Sequence, residues 1–240
     1  RLPRLVGMWR EAAASISTGE GSALAPPEAA VVGAALLRLQ RGLTGSRLLA
    51  GAPYMDDPAL LGAYLLYYWP VSYLEASLAI AELGLRPRRV LDLGSGPGPA
   101  AAAALDAGAS RLDLVDGSAR ALALASRALG RDADRISISR ADLEAADALP
   151  GGGGPFDLVI LGHCLNELWR GRGDRLERRA ELLERAAGLL APGGALLALE
   201  PALLETSREL LSLRDALTGA GWRILGPCPA AASGTYPCPA

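Results

Sequence analysis

The pattern of hydrophobic and polar positions divides the chain into two parts. Up to about residue 85, apolar residues recur at helical spacing, while from residue 88 short apolar runs alternate with segments of helical period. The runs are RRVLDLGSG, RLDLVDGS, RISISRADL, FDLVILGHCL, GGALLALEPA and WRILGPCP. Because such alternation is typical of a parallel sheet covered on both faces, we predict a doubly wound α/β fold over residues 86–240. A helical N-terminal region over residues 1–85 precedes it.

Three helices are predicted within the N-terminal region. The first, PPEAAVVGAALLRLQRGL, begins with prolines suited to a first helical turn and stops at Gly42. The other two, DPALLGAYLLYYW and PVSYLEASLAIAELG, are separated at Pro70, and the second ends at Gly84 in the position of a C-terminal cap. We expect the first 22 residues to be a frayed terminus.

The composition narrows the setting in which the protein works. The 240 residues include 24 basic and 26 acidic ones, and the basic ones are all Arg, which indicates the codon bias of a GC-rich, bacterial-type genome. Three Cys residues are too few for a disulfide scaffold, so a reducing cytoplasm is expected. No apolar run reaches the ~18 residues of a membrane helix, and with a net charge of −2 electrostatics alone predicts no nucleic-acid partner. We therefore expect neither membrane nor DNA binding.

A glycine-rich turn follows the first apolar run of the second part. A buried strand leads through Gly94, Ser95, Gly96, Pro97 and Gly98 into a helix. Glycines let a ligand approach the backbone closely, and the helix N-terminus adds partial positive charge, so an anionic or polar ligand is predicted here. Dinucleotide-binding enzymes share such a turn, but their pattern places a third glycine where Pro99 stands and no acid at the position of Asp92.

Three acidic residues are predicted at the carboxyl ends of successive strands. Asp92 precedes the glycine turn, Asp116 ends the second strand, and Asp142 follows the third. A carboxylate at Asp116 suits the two hydroxyls of a ribose, and one at Asp142 suits an adenine amino group. Asp is also common at strand ends and helix starts, so each residue alone has a structural explanation. Together with the turn they predict a crevice for a nucleotide.

These motifs resemble the class I S-adenosylmethionine-dependent methyltransferases in their order and spacing. The resemblance covers roughly residues 86–226 and is carried by VLDLGSGPG, LDLVDGS, RADL, FDLVILGHCLNEL and LLAPGGALLALEP. It implies a Rossmann-like methyltransferase fold and S-adenosylmethionine (SAM) as the cofactor. It also implies which residues contact SAM: Asp92 and the turn from Gly94 to Gly98 would hold the methionine moiety, Asp116 the ribose, and Asp142 with Leu143 the adenine. His163 would lie beside the sulfonium, and Gly117 would also belong to the cofactor site.

A narrower resemblance links the chain to the ribosomal small-subunit methyltransferase-like proteins, which include mitochondrial small-subunit assembly factors. It is carried by YYWPVSYLEA, HCLNELW, the strand ending in LEP, and ILGPCP followed by a second CP. This resemblance implies association with small-subunit ribosomal RNA or the ribosome, and a Cys-ligated metal or iron–sulfur site that would use Cys228 and Cys238. Ala230 stands where a His often follows the CP pair, so the four ligands of such a site are incomplete in this chain.

Residues just after the fourth strand are candidates for catalysis. His163, Asn166 and Glu167 would share one face if a helix begins at residue 163. In the functional interpretation they face the substrate, and Glu167 or His163 accepts a proton from an N or O nucleophile. In the alternative, His163 is a strand-end residue satisfied by backbone hydrogen bonds, and the other two belong to a helix cap and first turn.

Two further segments have both a functional and a structural interpretation. Tyr67, Tyr68 and Tyr73 either face the substrate, as a lid or a stacking platform, or pack the helical region against the sheet. RGRGDRLERR, at 170–179, carries five Arg residues that would suit RNA, but its interleaved acids favour a solvated helix face with ion pairs.

The sequence alone is compatible with three functions. The first is a SAM-dependent methyltransferase that acts on or with small-subunit ribosomal RNA. The second is a small-molecule N- or O-methyltransferase, which a closed cavity rather than an open groove would favour. The third is a catalytically silent SAM-binding ribosome assembly factor.

Overall fold

The computed structural model describes residues 2–12, 21–146, 148–150 and 154–226. At its centre lies a five-stranded parallel sheet in the order β3-β2-β1-β4-β5. The strands are β1 Arg89–Leu93, β2 Arg111–Asp116, β3 Ile136–Arg140, β4 Phe156–Gly162 and β5 Leu190–Leu199. This is the predicted α/β fold, and the order of its strands matches a Rossmann-like class I methyltransferase fold.

Helices cover both faces of the sheet, which explains why the central strands β1 and β4 are largely apolar, whereas the edge strand β3 alternates Ile with Ser and is mostly exposed. Helices α5 (Pro99–Asp106) and α6 (Ala119–Ala128) pack on one face, and α7 (Arg175–Ala187) and α8 (Leu204–Gly219) pack on the other. Successive side chains of β4 alternate between the two cores: Leu158 and Ile160 lie on the side of α5, and Val159 and Leu161 lie on the side of α7.

The described part of the N-terminal region contains four α-helices, which share one core with α5 and α6, as well as a π-helical turn at Arg41–Gly45 and a 3-10 turn at Tyr54–Asp56. The α-helices are α1 Leu2–Ala12, α2 Pro26–Gln40, α3 Pro58–Leu66 and α4 Tyr68–Glu82. The expectation of a frayed start was wrong for residues 2–12, because Leu5, Met8 and Trp9 are buried in that core. A Cβ atom at Gly62 of α3 would lie 2.8 Å from the Trp9 ring, so the two helices are in close contact.

Two predicted boundaries differ from the structure. Helices α3 and α4 separate at Tyr67 rather than at Pro70, which lies in the first turn of α4, where a missing N–H breaks no helical hydrogen bond. The sixth apolar run is not a strand over residues 222–226. There the N–H of Trp222 donates to Leu217 O at the end of α8, and its side chain packs on the core, so α8 rather than a strand holds this segment.

Cys228 and Cys238, the residues of the implied metal site, lie outside the described residues. Within the described ranges, no group of three or more His, Cys, Asp or Glu side chains is placed to hold a metal ion. None of the helices described here is long and apolar enough to span a membrane.

Candidate functional site

The glycine turn between β1 and α5 is tightly folded. Gly94 and Ser95 both donate from their backbone N–H groups to Val115 O of β2, at 2.8 and 3.1 Å. Gly94 has a φ of 67°, and a Cβ atom there would lie 2.6 Å from both the Cβ and the Sγ of Cys164. Both the backbone conformation and the space therefore require glycine at this position.

Asp92 and Ser95 place buried polar atoms beside the turn. Asp92 is 1% exposed and Ser95 is 4% exposed. Among the described residues, the Oδ2 of Asp92 and the Oγ of Ser95 have no hydrogen-bond partner. Burial raises the pKa of Asp92 to about 8, against the hydrogen bond from the Ala101 backbone, and the nearby charge of Asp116 adds to the rise.

Asp116 connects the end of β2 to the turn. Its Oδ2 accepts from the Gly96 N–H and its Oδ1 from the Ser118 N–H, both at 2.8 Å. Burial raises the pKa of Asp116, these two hydrogen bonds act against the rise, and the charge of Asp56 adds to it. Asp142 lies two residues beyond β3, exposed, with its Oδ1 accepting from the Glu144 N–H at 2.9 Å.

The segment after β4 brings a second group of side chains to the same edge of the sheet. His163 has a φ of 60°, and its Nε2 lies 2.8 Å from Glu75 Oε2 of α4. Asn166 and Glu167 lie in a short 3-10 turn rather than in a longer helix. The Glu167 carboxylate accepts weak hydrogen bonds from the Gly51 N–H and the Tyr54 hydroxyl, at 3.3 and 3.4 Å.

The pKa of Glu167 is raised to about 7, which is unusual for a carboxyl group. Burial is the largest cause, and the charge of Glu200 adds to it. Hydrogen bonds from Gly51 and Tyr54 and the charge of Arg47 act in the opposite direction. A carboxylate that titrates near neutrality is suited to accept and release protons at physiological pH.

A cavity of about 630 Å³ joins these groups at the carboxyl ends of the strands. The predicted residues that line it are Asp92, Gly94, Ser95, Gly96, Asp116, Gly117, Asp142, Leu143, His163, Asn166, Glu167 and Tyr68. Pro97 and Gly98 do not line it. The carbonyl of Pro97 instead accepts a hydrogen bond from the buried Trp69 indole, and Gly98 begins α5 against Leu129.

The predicted aromatic group divides at the cavity wall. Tyr68 lines the cavity and stacks on Tyr64, with ring centroids 5.5 Å apart. Tyr67 points away and is 51% exposed, and Tyr73 stacks on Trp69 and donates to Asp106 of α5. The structure thus does not bring Tyr67 and Tyr73 to the cavity, and Tyr68 is the one of the three tyrosines that can face a substrate there.

Residues 90–194 match the family model of a methyltransferase domain. This match lies within the α/β part of the chain and covers less than half of its 240 residues. No curated protein sequence matches the chain at a significant level.

Three solved structures are similar to this chain to different degrees. An O-methyltransferase family protein from Burkholderia thailandensis is 20% identical, with a TM-score of 0.52 over 80% of this chain and 64% of that chain. CalS10 from Micromonospora echinaspora, an amino pentose methyltransferase solved with SAM bound, is 20% identical over 57% of this chain, with a TM-score of 0.44. A proposed RNA methyltransferase from Pyrococcus horikoshii is 19% identical over 62% of this chain and 67% of its own, with a TM-score of 0.44. The chain spans about half the length of CalS10, 53%.

The N-terminal region completes the cavity of the methyltransferase domain with residues that the sequence did not reveal. Residues 51–56 line it, Asp56 accepts a hydrogen bond from the Ser118 hydroxyl at 2.6 Å, and the Met55 methyl lies next to Gly96. Arg47 and Glu75 also line it. Sequence reasoning missed these residues because they lie outside the β-α pattern, and the turn residues in GAPYMDDP were the sole local signal of an irregular segment.

The arginine-rich segment 170–179 makes ion pairs and backbone contacts throughout. Arg172 and Arg178 pair with Asp174, and Arg175 and Arg179 pair with Glu209. The remaining Arg170 donates to Ala50 O. The ion-paired interpretation therefore fits this segment better than an RNA-binding surface.

Proposed function

We propose that this chain binds SAM in the cavity and transfers its methyl group to an acceptor. The observation that carries the proposal is the pair of buried, unpartnered polar atoms, Asp92 Oδ2 at the end of β1 and Ser95 Oγ in the glycine turn, within the segment that matches a methyltransferase domain. Buried polar atoms normally have hydrogen-bond partners, so two such atoms at one turn favour a polar ligand there. Asp116 and Asp142 lie along the same edge, where the nucleoside part would extend.

The residues present fit this cofactor. Its cationic methionine end would lie on Asp92, Ser95 and the glycine turn, its ribose on Asp116, and its adenine between Asp142 and Leu143. A volume of about 630 Å³ is in the range of cavities that bind small ligands. SAM supplies a methyl group on sulfonium sulfur, an activated leaving group, so alignment and desolvation contribute more than acid catalysis.

Glu167 is the residue that we assign to proton acceptance. Its carboxylate lines the cavity, the Tyr54 hydroxyl and Gly51 N–H orient it, and its pKa of about 7 allows it to take a proton from an N or O nucleophile at neutral pH. His163 is the second candidate, since its Nε2 contacts Glu75 at the same cavity.

For the acceptor, we propose small-subunit ribosomal RNA, in the free RNA or in an assembling subunit. The support is the sequence resemblance carried by YYWPVSYLEA, HCLNELW and the LEP strand. The arginines of 170–179 add no support, because four of them are held in ion pairs with Asp174 and Glu209. A small-molecule N- or O-acceptor is the second candidate, and the partly enclosed cavity of about 630 Å³ favours it.

Calorimetric titration with SAM and, in parallel, with NAD tests the cofactor. We expect micromolar SAM binding and no response to NAD. If SAM does not bind, the methyltransferase proposal is wrong. If NAD binds instead, the glycine turn holds a dinucleotide.

Radiolabelled SAM then tests the acceptor. Small ribosomal subunits and their purified RNA should gain label that nuclease treatment releases, whereas large-subunit RNA serves as the matched control. Labelling of a small-molecule extract alone would support the second acceptor class. SAM binding without transfer to RNA, subunits or extract would support a catalytically silent assembly factor.

A further inference from the structure

Arg179 is a buried arginine outside the cavity that the proposed reaction does not use. It lies on α7, is 1% exposed, and pairs with Glu209 of α8 at 2.7 Å. Burying a guanidinium is costly unless it is paired and hydrogen-bonded, so its contacts indicate what it holds in place.

The hydrogen bonds of Arg179 lie on both sides of Glu167. Its Nη2 donates to Asn166 O at 3.0 Å and to Leu168 O at 2.9 Å, and its Nε donates to Leu168 O at 3.1 Å. The planar fork of a guanidinium can bridge two carbonyls in this way, whereas the ammonium of a lysine cannot reproduce the geometry. The backbone that carries the Glu167 carboxylate is therefore fixed from behind.

The turn that contains Glu167 needs such a support. His163 and Trp169, which flank it, have φ values of 60° and 51°, in a region that residues with side chains rarely adopt. Two other side chains hold the turn at Asn166: Arg47 donates to its Oδ1 at 2.7 Å, and Glu200 accepts from its N–H at 3.2 Å. Arg179 is the group that contacts both neighbours of Glu167.

We infer that Arg179 is a positioning residue: its guanidinium clamps the backbone on both sides of Glu167 and thereby aims that carboxylate into the cavity beside Tyr54 and Gly51. The inference rests on the proposed role of Glu167 as the proton acceptor. Glu209 keeps the guanidinium in place, and burial, which acts to raise the pKa of Glu209, is outweighed by hydrogen bonds from Arg179 and Arg175, which lower it.

The test compares Arg179→Lys with Arg175→Lys. Both arginines pair with Glu209, but Arg175 donates to Arg172 O and not to the turn around Glu167. The readout is the titration of Glu167 by NMR of protein with ¹³C-labelled glutamate, assigned by the loss of one signal in Glu167→Gln. Tyr54, Arg47 and Glu200 face this carboxylate and remain unchanged in both variants.

We expect Arg179→Lys to release the carboxylate towards solvent and lower the Glu167 pKa by about one unit, because burial is the main cause of its rise. Arg175→Lys should leave it near 7. An unchanged Glu167 titration in Arg179→Lys, or an equal shift in both variants, would overturn the inference. If Arg179→Lys does not fold, Glu209→Gln removes the counter-charge of Arg179, and the same shift or its absence decides.

Methyl transfer provides a second readout. In Arg179→Lys we expect kcat to fall by about 10–100-fold, with its pH profile displaced towards lower pH and SAM affinity within about twofold of the wild type. The NMR titration needs neither cofactor nor acceptor. A shifted titration with no transfer in any variant would contradict the proposed function and leave the positioning role standing, whereas transfer with an unshifted titration would do the reverse.

Discussion

The indole Nε1 of Trp69 donates a 3.0 Å hydrogen bond to the carbonyl oxygen of Pro97, which joins the N-terminal region directly to the glycine turn. Trp69 is 2% exposed and stacks on Tyr73, whose hydroxyl donates to Asp106 at 2.6 Å. Helix α4 therefore holds the turn that precedes α5 and also the last residue of α5. The N-terminal region therefore both lines the cavity and supports the glycine turn at which we propose that SAM binds.

Replacing Trp69 with Phe should disturb the turn without emptying the core. The Pro97 carbonyl would lose its buried partner, so we expect the free energy of unfolding to fall by about 1–3 kcal/mol and SAM affinity to fall by less than about tenfold. Chemical denaturation and calorimetry measure the two effects. Trp222→Phe, on the opposite face of the sheet, is the control and should leave SAM affinity unchanged. Equal affinities in both variants would show that the turn does not depend on Trp69.

Asp116→Ala tests the placement of the ribose. The carboxylate already accepts two backbone hydrogen bonds, from Gly96 and Ser118, and has further lone pairs for two hydroxyls. Its loss should weaken SAM binding by ~1–3 kcal/mol, measured by calorimetry. Asp113→Ala, on the same strand but outside the cavity, serves as the matched control. Unchanged SAM affinity in Asp116→Ala would mean that the ribose lies elsewhere.

The parts of the site that could be predicted are those encoded by a local pattern. Asp92, the glycine turn, Asp116 and Asp142 follow apolar runs, and parallel strands bring their carboxyl ends to one edge. The central strands β1 and β4 were also predictable, because burial on both faces makes them largely apolar.

The rest of the cavity depends on contacts between residues far apart in the chain. Tyr54 meets Glu167 across 113 residues, and Arg47 meets Asn166 across 119, so no local spacing signals either pair. The tyrosines show the same limit, since Tyr67, Tyr68 and Tyr73 are close in sequence, yet Tyr68 alone of the three lines the cavity. The packing of α4 against the rest of the protein determines which of its side chains face the cavity, and the presence of aromatic residues in the sequence does not indicate this.

Asp92 should make the unliganded protein less stable as the pH rises. Its pKa is about 8 in the folded state and about 3.9 in an unfolded chain, so the folded state binds the extra proton between these values. The stabilising contribution is complete below about pH 4 and is lost as the pH rises through 8.

Asp92→Asn cannot ionise and should remove this dependence. We expect the free energy of unfolding of Asp92→Asn, minus that of the wild type, to increase by at least about 1 kcal/mol as the pH rises from 5 to 9. Urea denaturation without SAM measures both values. The substitution should also weaken SAM binding, because a bound cation favours the ionised form of Asp92, which an amide cannot adopt. Asp215→Asn, on the exposed face of α8, controls for the loss of one acidic group. If the stability of the wild type and that of Asp92→Asn depend on pH in the same way, Asp92 is not protonated in the folded protein.

The proton acceptor can be identified by comparing Glu167→Gln with Glu75→Gln. If Glu167 takes the proton, it must first be ionised, so kcat of the wild type should rise as the pH increases through about 7. Glu167→Gln should lose this rise and lower kcat by about 10²–10⁴-fold, while SAM affinity changes little. Glu75 contacts His163 Nε2 at 2.8 Å, so Glu75→Gln perturbs the other candidate and leaves Glu167 intact. Methyl transfer followed across pH 5–9 decides between them: a rise that persists in Glu167→Gln but disappears in Glu75→Gln would assign the proton to His163 instead.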